Sequence, residues 1–171
     1  MALPLDILRK RLTNEIQLCK NQLPHEIEVI DPDFKKFPTT LLVTFKNIPG
    51  PMWNGTKVGH LYTHKMRVDI TKDYPYQKPV VRWRTEIFHP NIVPPSRGGW
   101  VCIKLLDDWS FSSNLLTFLN GIESLLVNPN PKSPYRDETT LEAARYFLRN
   151  PYKPPIIVKT KGEGDKKIMS R

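Results

Sequence analysis

Apolar side chains recur along residues 5–23 in steps of three and four, at Leu5, Leu8, Leu12, Ile16, Cys19 and Leu23. One stripe of a 3.6-residue period predicts an amphipathic helix, with Cys19 as a small buried member of the stripe. Arg9, Lys10 and Lys20 fall mostly off it, available to solvent or a partner. From residue 26 the period shortens to two. Glu26–Ile30 alternates around Ile27 and Val29, and Thr39–Phe45 places Leu41, Val43 and Phe45 on one face. In Tyr62–Ile70 the residues Tyr62, His64, Met66, Val68 and Ile70 alternate with Thr63, Lys65, Arg67 and Asp69, a strand with one buried face. Val80–Arg84 is a fourth, shorter strand. The stretches Asn47-Ile48-Pro49-Gly50-Pro51 and Trp53-Asn54-Gly55-Thr56 read as turns. Strands in succession with no helical pattern between them predict an antiparallel meander.

The helical period then returns. Ser112, Ser113 or Asn114 can cap a helix whose apolar positions are Leu115, Phe118, Leu119, Ile122, Leu125 and Leu126, ending at Asn128-Pro129. Thr139-x-x-Glu142 reads as a capping box for a shorter helix with Leu141, Ala144 and Leu148 inward, stopping at Asn150-Pro151. The 17 prolines support these boundaries, because the long proline-free windows are 5–23, 52–74, 96–128 and 135–150. The expected fold class is α+β: a leading helix, a four-stranded meander, a long irregular segment, then two helices. Residues 1–152 read as one core domain and 153–171 as a basic, flexible tail, loose from residue 156.

At 171 residues the chain is long enough to bury a core without staples, and its two cysteines exclude a disulfide framework. No apolar run approaches the ~20 residues of a membrane span, and the first residues lack a signal peptide's basic and apolar zones, so a cytosol-like compartment with reduced thiols is expected. The net charge of +9 lies mostly at the ends. Residues 1–20 hold four basic and two acidic side chains and residues 153–171 six and two, so the ends carry +6 of the total. A nucleic-acid domain more often concentrates charge on a folded face interleaved with aromatics, so nucleic acid is not the expected partner. His60 and His64, four residues apart on a strand, stand about 13 Å apart, too far to share one metal ion. His64 reads as a core residue, and no metal site is expected.

The irregular segment 85–112 exceeds a simple connection, and long ordered loops are usually functional. It contains His89-Pro90-Asn91, then Gly98-Gly99-Trp100-Val101-Cys102-Ile103, then Asp108-Trp109-Ser110. Flanked by Val101 and Ile103, Cys102 has two readings: inert packing in a strand, or a functional thiol on a Gly-, Pro- and Trp-rich loop.

The order Tyr74-Pro75-Tyr76-x-x-Pro79, His89-Pro90-Asn91-Ile92, Gly99-x-Val101-Cys102-Ile103, Trp109-Ser110 and Asn128-Pro129-Asn130-Pro131 resembles the ubiquitin-conjugating enzyme family over about residues 1–150. The resemblance implies that Cys102 accepts the C-terminal glycine of a ubiquitin-like protein as a thioester from an activating enzyme. It then yields it to a substrate lysine with a RING-type or other ligase. ATP is consumed upstream, so no bound cofactor is implied. Asn91 matches the family's asparagine, with two open roles: donating to the thioester oxygen, or pinning the loop. His89 can be a base for Cys102 or can order the turn before Pro90; the family pattern implies the second. Many relatives carry an acid where this chain has Ser133, a hydroxyl that can orient an amine but is a poor base. Asp107 and Asp108 are the nearby carboxylates, with Asp108 carried as a weak candidate. The stretch from Asn91 to Cys102 is a few residues longer than usual, through Pro94-Pro95-Ser96-Arg97, and position 104 is Lys where an acid or amide is common. Arg9, Lys10, Tyr76, Ser110 and Phe111 correspond to the surface that docks the ligase or activating enzyme. The implied protein is a monomer of the cytoplasm, or of the nucleus in a eukaryote. Two other classes stand beside this one: a catalytically dead binding module on the same fold, and a Cys–His hydrolase built on His89 and Cys102.

Overall fold

The computed structural model describes residues 1–159 and 166–169. Helix α1 (Leu5–Gln22) leads into four strands, β1 (Glu26–Val29), β2 (Thr39–Trp53), β3 (Val58–Ile70) and β4 (Val80–Trp83). They pair in chain order as one antiparallel sheet. A single turn, α2 (Lys104–Asp107), precedes α3 (Leu115–Val127) and α4 (Glu138–Arg149). This is the α+β architecture that the periodicities predict.

The core is the layer between the sheet's inner face and the helices. Leu8, Leu12, Ile16 and Cys19 of α1 are buried, contributing on the order of 6–10 kcal/mol before entropy. They meet Leu41, Val43 and Phe45 of β2, and Met66, Val68 and Ile70 of β3, which alternate inward as a period of two requires. Leu5, at the stripe's outer end, is half exposed. Helix α3 supplies Leu115, Phe118, Leu119, Ile122 and Leu126. Its cap is Asn114, whose side chain accepts from the Thr117 N–H at 2.9 Å.

Three local expectations are corrected. The stretch 47–51 is not a turn: β2 runs through it to Trp53, with a bulge between Lys46 and Gly50 absorbed by Asn47 at φ +56°. Strand β1 pairs only as far as Thr44, so Pro49 and Pro51 forfeit no ladder bond on that side. Gly50 is required by close approach, since a Cβ there would stand 2.6 Å from the buried His64 ring. The His64 ring in turn donates from Nε2 to the Ile48 carbonyl at 2.9 Å.

Helix α4 is capped by Asp137 and Thr140 rather than by Thr139 and Glu142. Its buried face is Thr140, Ala143, Ala144 and Phe147, a three-four stripe that leaves Leu141 and Leu148 exposed. Finally, the tail read as loose contains two antiparallel strands, β5 (Ile156–Lys159) and β6 (Lys166–Met169). The rest of that expectation, on residues 160–165 and 170–171, lies outside the described residues.

Candidate active site

The segment after β4 is irregular but tied at almost every residue. Ile92 bridges to Val101, and the Cys102 N–H donates to the Asn91 carbonyl at 2.8 Å, so the backbone itself sets Cys102 against Asn91. The insertion between them is fastened to the sheet: Trp83 N–H donates to the Gly99 carbonyl at 2.7 Å. Gly99 sits at φ +67°, and a Cβ there would be 2.4 Å from the Trp83 carbonyl oxygen, so only glycine fits.

Cys102 is half-buried on one side of a groove of about 420 Å³, together with Asn91, Lys104, Asp107, Asn130 and Ser133. Burial, and after it the Asp107 carboxylate, push its thiol pKa up from the ordinary value. At neutral pH the sulfur is therefore overwhelmingly a thiol, accessible but not activated.

Asn91 is almost wholly buried and its side chain is fully engaged. Nδ2 donates to the carbonyls of Asn130 (3.1 Å) and Ser133 (3.0 Å), while Oδ1 accepts from the Asn130 N–H at 2.8 Å. An amide has two protons on nitrogen, and both serve the 130–133 loop. Of the two roles open in the sequence, these three hydrogen bonds are those that the pin requires.

His89 is also buried. Its Nε2 donates to the Leu125 carbonyl (2.8 Å) and its Nδ1 accepts from the Asn91 N–H (3.0 Å), leaving no nitrogen for Cys102. Burial pulls its pKa down to about 4, so the ring is neutral and holds the turn. Ser133 is exposed at the groove. Asp108 is a correction: it caps the end of α2, pairs weakly with Lys104 at 3.9 Å and does not line the groove. Asp107, on the last position of α2, is the carboxylate that does.

A second surface gathers around Phe111. The exposed rings of Tyr76 and Phe111 stand 5.2 Å apart between centroids. Ser110, next in the chain, is exposed with its hydroxyl against that of Ser112. Lys10 is exposed, whereas Arg9 donates to the Phe34 carbonyl at 3.0 Å and is occupied by the loop after β1. The cation that reaches the aromatic pair is Arg11, which sequence reading missed. Its guanidinium lies 5.0 Å from the Phe111 ring centre and donates to the carbonyls of Phe111 and Ser113. It pairs with Glu15 (3.0 Å), whose carboxylate also accepts from the Tyr74 hydroxyl and from the Leu115 N–H at the start of α3. The i,i+4 spacing of Arg11 and Glu15 was the available signal. His60, considered for a metal, instead meets the Tyr152 hydroxyl through Nδ1 at 2.8 Å.

A half-open thiol with the His89 ring turned to other partners, in a groove walled by a pinned loop, suits a protein that holds an acyl group and passes it on. Comparison with known proteins agrees. The family model for the ubiquitin-conjugating enzyme matches residues 11–156. The chain is 39% identical over 89 residues to ubiquitin-conjugating enzyme E2 3 of Arabidopsis thaliana, spanning 52% of this chain and just over half (55%) of that one. It is 30% identical over 131 residues to ubiquitin conjugating enzyme E2 B of Dictyostelium discoideum, spanning 75% of this chain and 80% of that one. The solved structure of S. cerevisiae Ubc12 matches with a TM-score of 0.64 at 25% identity, over 83% of this chain and 71% of that one. The chain belongs to the ubiquitin-conjugating enzyme family.

Proposed function

We propose that Cys102 carries the C-terminus of ubiquitin or a ubiquitin-like protein as a thioester, received from an activating enzyme and delivered to a substrate lysine. One observation carries the reading: Cys102 opens into the groove beside Asn91, whereas the chain's other thiol, Cys19, is sealed in the core.

In charging, the Cys102 thiolate attacks the thioester carbonyl carbon on the activating enzyme. A new C–S bond forms, the old one breaks, and the activating enzyme's cysteine leaves as a thiolate. One thioester replaces another, so little driving force and no strong base are needed. In delivery, the neutral lysine amine adds to the same carbon, the C–S bond breaks, and Cys102 leaves as a thiolate. The proton lost by nitrogen passes to a base. Asp107 and the Ser133 hydroxyl, both on the groove, hold the incoming amine; Asp107 is the carboxylate placed to take the proton. Asn91 and His89 act by holding the loops that shape the groove. Tyr76, Phe111 and Arg11 form the surface on which the ligase or activating enzyme docks, with the aromatic pair as anchor. A hydrolase reading is disfavoured by His89, whose two ring nitrogens are both bonded elsewhere.

The test is a set of charging reactions with ATP and a panel of modifiers, each with its own activating enzyme, resolved on non-reducing gels. One modifier gives a thiol-sensitive adduct that Cys102→Ala lacks. No adduct with any matched pair, or an adduct that survives in Cys102→Ala, overturns the proposal.

A further inference from the structure

We infer that Arg97, within the insertion between Asn91 and Cys102, is a positioning residue for delivery to lysine: its ion pair with Asp137 holds the 130–137 segment as the wall of the Cys102 groove. The inference rests on the thioester reading above.

The segment between α3 and α4 has no regular structure of its own, yet Asn130 and Ser133 line the groove. Besides the Thr140 hydroxyl of α4, which donates to the Tyr135 carbonyl at 2.6 Å, the 89–102 segment holds it at three places. Asn91 pins residues 130 and 133, and the Tyr135 N–H donates to the Pro90 carbonyl at 2.9 Å. Farthest along, Arg97 Nε lies 3.0 Å from both carboxylate oxygens of Asp137. The first two attachments come from the His-Pro-Asn turn; the third comes from the insertion alone.

The insertion is built to hold that arginine still. Pro95–Arg97 forms a single tight helical turn behind Pro94, closed by the Gly98 N–H on the Pro95 carbonyl at 3.1 Å. Arg82 donates to the Gly98 carbonyl at 3.2 Å, and its guanidinium lies against the Trp100 ring, 3.1 Å from the ring centre. Gly99 is bonded to β4 as described. A continuous strut therefore runs from the sheet through the insertion to Arg97, then Asp137, then the groove wall. At its far end Asp137 also caps α4, accepting from the Thr139 N–H at 3.0 Å. Thr139 and Arg97 together hold its carboxyl below the usual range, so the pair is ionised throughout the working pH range.

An exposed ion pair adds little to global stability. Its effect is local, narrowing the positions that Ser133 occupies beside Cys102. Delivery needs the amine aligned on the carbonyl carbon, whereas charging brings its own partner enzyme to the sulfur, so a looser wall slows the first more than the second.

The experiment compares wild type, Arg97→Ala, Arg97→Lys, Asp137→Asn and the double variant Arg97→Ala/Asp137→Asn. Asparagine caps a helix as well as aspartate, so Asp137→Asn removes the charge and keeps the cap. Charging rate, and single-turnover discharge of the loaded protein over a range of free lysine, are both measured. The expected result is charging within twofold of wild type in every variant. Discharge at low lysine falls about three- to tenfold in Arg97→Ala and Asp137→Asn, mainly through a higher half-saturating lysine concentration. The double variant is no slower than either single, and Arg97→Lys recovers part of the loss. Unchanged discharge, equal losses in charging and discharge, or additive losses in the double variant overturn the inference. Hydrogen exchange on the unloaded protein gives a second reading. Arg97→Ala speeds exchange at residues 130–136 and spares α3, and an unaltered 130–136 segment also overturns it. If wild type takes no modifier at all, the thioester proposal is what fails, and the exchange result then still judges the strut.

Discussion

Two cysteines on one chain show what the irregular segment contributes. Cys19 sits in the apolar stripe of α1, fully buried, and burial drives its thiol pKa up to about 11. Cys102 sits on irregular backbone, half-buried, with a smaller upward push from burial and Asp107. Neither is electrostatically activated, so acidity does not distinguish them. Access does. A regular element with one buried face hides its cysteine, whereas a loop tied by side chains can hold a sulfur at a groove without surrounding it. For the proposed thioester carrier this is an advantage, because a weakly activated sulfur still exchanges thioesters.

The largest expected effect is on loading. Cys102→Ala abolishes the adduct, while Cys19→Ala loads normally and loses about 1 kcal/mol of stability from the small cavity in the stripe. A loading defect in Cys19→Ala with native stability would break the contrast.

Next comes His89, the buried anchor beneath the thiol's loop. Its folded pKa near 4 lies below the ordinary 6.5, so the neutral ring favours the folded state. That contribution is complete above about pH 6.5 and is lost as the pH falls from there towards 4, up to roughly 3 kcal/mol. Urea midpoints should fall across this window in wild type and fall less in His89→Gln. A similar fall in both contradicts the assignment.

Asn91→Ala removes three hydrogen bonds to the 130–133 loop and costs about 1–3 kcal/mol in denaturant unfolding. It also slows delivery to lysine more than loading. Equal slowing of both steps would mean that Asn91 touches the carbonyl in each.

The smallest effect sharpens the comparison most finely. Iodoacetamide on the native protein alkylates Cys102 and spares Cys19, with a pH midpoint above that of a free thiol. Asp107→Asn lowers the midpoint, because a negative charge that opposes the thiolate has gone. A midpoint that rises instead would place Asp107 away from the sulfur.

The regular elements were legible because their periods were undisturbed: α1 from its stripe, β3 from its alternation, α3 from Asn114 and the leucines that follow. Errors arose where composition imitated another signal. Pro49, Gly50 and Pro51 looked like a turn because proline usually ends a strand; here the neighbouring strand stops first. Thr139 and Glu142 matched a capping box, but Asp137 lay two residues earlier and made one with Thr140. The site was legible only in its ordered motifs. Arg11 offered only its i,i+4 spacing to Glu15, and Arg97 offered nothing, since the Phe111 carbonyl and Asp137 that they hold lie 100 and 40 residues away, brought there by folding. Asp107 and Asp108 were equivalent neighbours of Cys102 until the single turn of α2 sent one to the groove and the other out of it.

The central claim concerns which atom bears the modifier, and Cys102→Ser tests it most directly. Incubated with the activating enzyme, ATP and the matched modifier, this variant should form an adduct that resists thiols and yields to hydroxide, mapped by mass spectrometry to residue 102. That is the behaviour of an oxygen ester in place of a thioester. A thiol-labile adduct persisting in Cys102→Ser, or an adduct mapped to Cys19 or to a lysine, would contradict the account.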